Sequence, residues 1–181
     1  MPVRFRGFFA GNGGIFVSKS EFLLDKQVDC VLAALMPANR TAVRVALETG
    51  LRIGDVLSIK TDSIAPVMRV LEHKTGKTRV VRLPDRLLAD LRAGAGEVWA
   101  FPGRDPAKHR SRQAVWYDVK RAAKAFRLPQ NVCPHSMRKV YAVRLWQRYG
   151  DIERVRCVLN HKSLSTTLIY AMADQLLENS R

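Results

Sequence analysis

Two β-type segments close together in sequence interrupt a chain whose apolar residues mostly recur at helical spacing. Residues 64–72 and 78–83 carry the β-type pattern, and the turn Lys74-Thr75-Gly76-Lys77 between them predicts a hairpin with Lys74 near its tip. The length of 181 residues and the apolar content of 47% predict one domain with a sizeable core. The expected fold class is therefore α+β, mostly helical, with a small antiparallel sheet.

The helical pattern divides into eight segments. Helices are predicted at residues 20–36, 38–49, 51–57, 85–93, 112–126, 135–149, 152–159 and 163–173. Gly50 ends the second helix, so Arg52 is expected on a tight turn between two helices. Residues 97–101 predict a short strand. In the helix at 112–126 the residues expected to face inward are Trp116, Tyr117, Val119, Ala122 and Phe126.

The charge of the chain indicates a polyanionic partner. Lysine and arginine number 31 against 16 aspartate and glutamate residues, a formal charge of +15. The basic residues are spread along the chain, and such a surface fits a groove around a nucleic-acid duplex. A basic surface that only serves solubility remains the alternative from composition alone.

Cysteine usage and hydropathy favour a cytoplasmic protein. Cys30, Cys133 and Cys157 form no CxxC pair, so neither a disulfide framework nor a zinc site is indicated. Glycines interrupt the apolar residues 5–16 before a signal peptide could form. No other apolar run approaches the length needed to span a bilayer, so no membrane association is expected.

A scattered set of polar residues suggests chemistry at a phosphodiester. The set comprises Arg52, Lys74, His135, Arg138, His161 and, just beyond them, Tyr170. No two-metal carboxylate cluster accompanies it. Two arginines can hold the non-bridging oxygens of a phosphodiester, and a tyrosine can supply the nucleophile. The set therefore predicts metal-free cutting and rejoining of DNA through a phosphotyrosine bond.

Four sequence segments resemble the boxes of the tyrosine recombinases, the phage integrase family. Residues 47–57, LETGLRIGDVL, resemble the first arginine box, and the KTGK turn at 74–77 is similar to the hairpin lysine. HSMR at 135–138 resembles the HxxR box, and residues 158–170 resemble the segment that ends in the nucleophile. The resemblance implies a tyrosine-recombinase catalytic domain over residues 20–181. Residues 1–19 are then expected to be a short extension without the usual N-terminal core-binding domain. The sequence would be either the catalytic-domain fragment of a longer recombinase or a naturally short recombinase.

The resemblance also implies a role for each candidate residue. Arg52 and Arg138 would clamp the phosphate, while His135 manages a proton. Lys74 would protonate the departing 5′ oxygen, with Lys77 as a close rival. The remaining roles are a third phosphate contact from His161, the nucleophile Tyr170, and DNA contacts from Lys77, Lys139 and Lys162.

Several features of the boxes need their own interpretation. Asp55 lies one helical turn after Arg52, where its carboxylate is expected to hold the guanidinium. Asn160 stands where the family most often has glycine, and Lys139 where a second histidine is common. Of the other tyrosines, Tyr117 and Tyr141 are expected in the core, and Tyr149 at a helix end beside Gly150.

The implied function is that of a site-specific recombinase that forms a 3′-phosphotyrosyl intermediate. The resemblance implies double-stranded DNA as partner, a homo-oligomer that is tetrameric on DNA, and no metal, ATP or other cofactor. Two alternatives remain open. One is a monomeric relaxing enzyme similar to type IB topoisomerases, and the other is a non-catalytic DNA-binding regulator on the same fold.

Overall fold

The computed structural model describes residues 22–160. The elements in this range are α1 (Asp25–Ala34), α2 (Pro37–Thr49), α3 (Ile53–Leu57), a 3₁₀ turn (Thr61–Ser63), β1 (Val67–Glu72), β2 (Lys77–Arg82), α4 (Asp85–Gly94), α5 (Arg112–Ala125), α6 (Pro134–Tyr149) and α7 (Ile152–Val158). The predicted helix at 163–173 lies outside the described residues. The mostly helical α+β class with a small antiparallel sheet is confirmed.

The hairpin forms as the sequence predicts. Strands β1 and β2 pair antiparallel from Val67 opposite Arg82 to Glu72 opposite Lys77. The backbone carbonyl of Glu72 accepts hydrogen bonds from the N–H groups of Thr75 and Gly76 and so closes the turn. Gly76 has a φ of +65°, a conformation that glycine adopts without steric cost. Lys74 therefore lies within the turn, as predicted.

The first helix begins later than predicted. Leu24 is extended, and the side chain of Gln27 accepts a hydrogen bond from the Leu24 N–H, so α1 begins at Asp25. Met36 is extended as well because it precedes Pro37, which disfavours helical backbone in the residue before it. These local caps, rather than the apolar pattern, determine where α1 ends and α2 begins.

The predicted strand at residues 97–101 is wrong. Trp99 makes only an isolated antiparallel bridge with Lys60. The N–H of Gly96 donates to the carbonyl of Trp99, which turns the segment back on itself. The segment is therefore too tightly turned to pair with a neighbouring strand over several residues.

The predicted inward face of α5 is also partly wrong. Trp116, Tyr117 and Phe126 are 42%, 66% and 45% exposed. The buried face instead carries Asp118, whose carboxylate accepts hydrogen bonds from the backbone N–H of Met36 and the side chain of Asn39. Burial by itself raises the pKa of Asp118, but the hydrogen bonds outweigh it and hold that pKa below its ordinary value. A buried polar residue thus sets the rotation of α5 and turns its aromatic residues outward.

The core lies between the helices and the buried face of the hairpin. Helix α2 packs against α6 and α4, and α1 packs against α5. The largest fully buried apolar side chains are Leu23, Leu51, Leu57, Met68, Leu87, Leu91, Met137 and Leu159. Across residues 22–160, no helix has the length and apolar character that a membrane crossing requires. This packing brings the α2–α3 turn, the hairpin turn and the start of α6 to one side of the domain.

Candidate active site

Five of the predicted site residues line one cavity of about 700 Å³: the supporting residue Asp55 and four of the predicted catalytic residues. Arg52 comes from the α2–α3 turn, Lys74 from the hairpin turn, and His135 and Arg138 from the first turns of α6. Residues far apart in sequence therefore converge on one basic cavity.

The turn that carries Arg52 depends on Gly50. Gly50 caps α2 with a φ of +64°, and its N–H donates to the carbonyl of Ala46 at 2.8 Å. A Cβ atom on Gly50 would lie 2.2 Å from Cδ1 of Tyr141, so the ring of Tyr141 packs directly on the glycine. Arg52 follows as the N-cap of α3, and its side chain stays 24% exposed at the cavity. The predicted helix end at Gly50 is confirmed.

The carboxylate partner of Arg52 is Glu72 and not Asp55. Arg52 Nη1 donates to Glu72 Oε2 at 2.8 Å. Asp55 is buried, and its Oδ1 accepts the backbone N–H of His73 at 3.1 Å. The expected Asp55–Arg52 contact is thus replaced, because the first turn of α3 faces the end of the hairpin. Asp55 holds the backbone next to Lys74 instead.

Sequence reasoning missed Glu72 and Arg79. The Glu72 side chain is 0% exposed, its Oε1 lies 3.2 Å from Nε of Arg79, and the same oxygen accepts a hydrogen bond from Asn160 Nδ2 at 3.2 Å. Arg79 also donates to the carbonyls of Val158 and Thr49. A signal was present in the sequence, since Glu72 lies in phase with the buried positions of β1. A carboxylate at such a position requires a charged partner.

Arg138 is a buried cation that joins two parts of the fold. Its side chain is 2% exposed, Nη1 donates to the carbonyl of Gly50, and Nη2 donates to the carbonyl of Leu159. Burial, together with the neighbouring cations Arg52 and Arg79, lowers the pKa of Arg138 to about 10. The guanidinium therefore remains charged at neutral pH and ties the α2–α3 turn to the end of α7.

His135 is neutral at neutral pH. Although its side chain keeps contact with solvent, the surrounding protein removes part of its hydration, and this desolvation is the main reason that its pKa falls to about 4. The positive charges of Arg138, Lys139, Arg52 and Lys74 lower that pKa further. A neutral imidazole can accept a proton, which a protonated one cannot.

We predict that NMR titration of the His135 imidazole will give a pKa well below 6.5. Raising the salt concentration should move that pKa upward, because ions screen the neighbouring cations. Between the folded and the unfolded pKa values the unfolded state binds more protons. The free energy of unfolding should therefore fall as pH drops from about 6.5 to about 4. His135→Gln should flatten that fall, and a wild-type pKa at or above 6.5 would contradict the prediction.

The two predicted lysines of the hairpin differ in position. Lys74 lines the cavity, and Lys77 opens β2 outside the set of lining residues. Lys139, on α6, is likewise not among the lining residues. The cavity also contains Arg112 at the start of α5, where a Cβ on Gly54 would lie 3.1 Å from Arg112 Cδ. Arg112, which no sequence pattern indicated as a site residue, adds a third arginine to the cavity.

The end of the described range contacts Glu72 through the side chain of Asn160. Asn160 has a φ of +50°, a conformation that asparagine tolerates better than most residues with a side chain. Glycine, which the family resemblance indicates at this position, adopts such a φ without steric cost. His161, Lys162 and Tyr170 lie outside the described residues, and their roles stay predictions.

The described residues offer no ready metal site. Between Phe22 and Asn160, no group of three or more histidine, cysteine, aspartate or glutamate side chains is arranged to hold a metal ion.

Comparisons with known proteins place the chain in one family. The model of the phage integrase family matches residues 21–176. A tyrosine recombinase of Thermosipho africanus is 30% identical over 167 residues, which cover 86% of this chain and 58% of that protein. The chain spans about half the length of the curated relatives it matches.

Solved structures share the fold. The XerH site-specific recombinase, bound to its palindromic difH substrate after cleavage, matches with a TM-score of 0.71 at 21% identity, covering 88% of this chain and 52% of XerH. The catalytic domain of bacteriophage HP1 integrase matches with a TM-score of 0.64 at 22% identity, covering 85% of this chain and 88% of that domain. The fold is thus that of tyrosine recombinase catalytic domains, and the chain belongs to the phage integrase family.

Proposed function

We propose that the chain is the catalytic domain of a site-specific DNA recombinase that acts through a 3′-phosphotyrosyl intermediate, with residues 20–181 as the functional unit. The observation that carries this proposal is the convergence of Arg52, Lys74, His135 and Arg138 on one cavity. Three of these side chains bring positive charge, and the fourth is a neutral base. Phosphoryl transfer without a metal requires positive groups that stabilise the phosphate and a group that accepts a proton.

The two arginines stabilise the phosphate in this proposal. As the nucleophile attacks, negative charge grows on the non-bridging oxygens, and guanidinium groups can donate two hydrogen bonds to them. Arg52 presents partly exposed donors to the cavity, and Arg138 supplies a buried positive charge behind it. His161 donates a further hydrogen bond.

Proton transfers complete the reaction. The Oη atom of Tyr170 attacks phosphorus, and its proton passes to the neutral imidazole of His135. The bond from phosphorus to the 5′ oxygen breaks, and Lys74 gives a proton to that oxygen. The products are a 3′-phosphotyrosyl bond and a free 5′ hydroxyl group. Attack by a 5′ hydroxyl of the same or a partner strand reverses the step, so no ATP is consumed.

Double-stranded DNA is the proposed partner, and a tetramer on two duplexes is the proposed assembly. The charge of +15 supports a DNA-binding surface, to which Lys77, Lys139 and Lys162 contribute. XerH, which shares the fold, was solved on its DNA substrate. A cytoplasmic location agrees with this partner.

Covalent trapping tests the proposed function. The purified chain is incubated with labelled duplexes that carry one nick and randomised flanking sequence, so that cleavage near the nick releases a short oligonucleotide and blocks rejoining. We expect a covalent protein–DNA band on a denaturing gel. Its 3′ phosphate linkage would be verified by peptide mapping of the adduct. A chain that binds these duplexes without any adduct would refute the enzymatic proposal.

We predict that excess EDTA leaves adduct formation unchanged. The charges on the phosphate are balanced by side chains in this mechanism, so no divalent ion is needed. The measurement is the initial rate of adduct formation with EDTA and with added magnesium, each at the same ionic strength. Loss of cleavage in EDTA with recovery in magnesium would contradict the phosphotyrosine mechanism.

A further inference from the structure

We propose that Glu72 is a positioning residue that orients Arg52 for the phosphate. This inference rests on the proposed function and adds to it a residue outside the four family boxes. Glu72 does not touch the phosphate in this proposal. It acts through Arg52.

The contacts of Glu72 separate its two oxygens. Oε2 accepts from Arg52 Nη1 at 2.8 Å, and Oε1 lies 3.2 Å both from Arg79 Nε and from Asn160 Nδ2. One carboxylate therefore orients the guanidinium of Arg52 and is itself held from the opposite side. Since Arg52 gives Nη1 to Glu72, its remaining N–H groups can be directed at an oxyanion.

The burial of Glu72 supports a role beyond strand formation. A fully buried carboxylate is costly unless it is paired, whereas an apolar side chain would serve the inward face of β1 at lower cost. Its neighbourhood contains the three guanidinium groups of Arg52, Arg79 and Arg138. Without a central negative charge these cations would repel one another. Glu72 thus allows two phosphate-binding arginines to occupy the same small region.

Glu72 also links separate parts of the site. Its backbone carbonyl closes the turn that carries Lys74, and its side chain contacts both Arg52 and Asn160. One residue therefore contacts three parts of the site: the arginine that clamps the phosphate, the turn that carries the lysine, and the end of the described chain.

Glu72→Gln is the sharpest test because both oxygens of Glu72 face donors. A glutamine can offer an acceptor to only one side, so its NH₂ group must face either the Arg52 donor or the Asn160 donor, beside which Arg79 lies. In single-turnover experiments at saturating DNA, we expect about a 10- to 100-fold slower cleavage. The DNA dissociation constant should stay within about twofold of wild type. Glu153→Gln, which alters the exposed Glu153–Arg156 pair, is the matched control and should cleave at the wild-type rate.

A double-mutant cycle shows whether Glu72 acts through Arg52. In an Arg52→Lys background, the additional Glu72→Gln change should slow cleavage much less than it does in wild type. An equal slowing in both backgrounds would mean that Glu72 has only a structural role and would overturn the proposal. Faster cleavage by Glu72→Gln would also overturn it, because the carboxylate would then be restraining Arg52.

Two safeguards keep the result interpretable. If Glu72→Gln lacks a cooperative thermal transition, Glu72→Asp carries the test, since it keeps the charge but shortens the side chain by one methylene. We expect Glu72→Asp to slow cleavage, and the same cycle with Arg52→Lys applies to it. Wild type that forms no adduct refutes the proposed function itself, whereas wild-type cleavage matched by folded Glu72 variants refutes only the role of Glu72.

Discussion

Tyr170→Phe is expected to abolish covalent attachment to DNA while leaving DNA affinity nearly unchanged. Phenylalanine keeps the ring and loses only the hydroxyl group that forms the ester. Affinity should persist because it arises mainly from lysine and arginine contacts with phosphates, whose release of counterions sets the salt dependence. The measurements are the denaturing-gel adduct assay and binding titrations at several salt concentrations.

Phenylalanine replacements of the other three tyrosines are the matched controls. Tyr117 is an important one, because it is exposed on α5 and not buried as the sequence suggested. Tyr141 packs on Gly50, and burial raises its pKa, which disfavours the phenolate. Tyr149 is exposed at the end of α6, with the guanidinium carbon of Arg154 3.7 Å from its ring centre. An adduct that survives Tyr170→Phe but vanishes in one of these variants would identify a different nucleophile.

Arg52→Lys should reduce the rate of cleavage by about 10²- to 10³-fold. Lysine keeps the positive charge, so binding should change little, but it cannot direct two parallel hydrogen bonds at the phosphate. Lysine also loses the planar group that Glu72 orients at 2.8 Å. The measurement is the single-turnover cleavage rate at saturating DNA, together with the dissociation constant.

Arg44→Lys is the matched control for this substitution. Arg44 lies on α2, is also partly exposed, and pairs with Asp90 at 2.6 Å. It should keep the wild-type cleavage rate. A parallel fall of binding and cleavage in Arg52→Lys would contradict a specific role in the transition state. Arg138→Lys is a less selective test, because Arg138 also bonds to two buried backbone carbonyls, and its replacement should lower stability as well.

Local patterns were sufficient for much of the fold. The turn residues between two β-type segments predicted the hairpin, and Gly50 predicted the end of α2, because both depend on backbone preferences of a few neighbouring residues. The grouping of Arg52, Lys74, His135 and Arg138 followed from the family resemblance. The structure brings the four to one cavity.

The sequence did not predict which side chains contact each other across the fold. The aromatic residues of α5 were expected inside, but Asp118 occupies the buried face because Asn39 and the Met36 backbone supply its hydrogen bonds. Asp55 was expected to hold Arg52 because the two are near in sequence. Glu72, brought close by the hairpin, takes that place. Both errors arose because a local pattern identifies neighbours along the chain but not across the fold.

The two hydrogen bonds from Arg138 to backbone carbonyls bear on which site residues distinguish active from inactive relatives. Because this side chain links the α2–α3 turn to the end of α7, a relative that had lost its catalytic activity would still lose stability without the arginine. Within residues 22–160, the exposed Lys74 makes no comparable buried contact that would stabilise the fold. Arg52 is only partly buried. In related genes that no longer encode an active protein, we expect substitutions at Lys74 to appear before substitutions at Arg138. Under the proposed mechanism, the lysine of the hairpin turn is therefore the better indicator of an active enzyme.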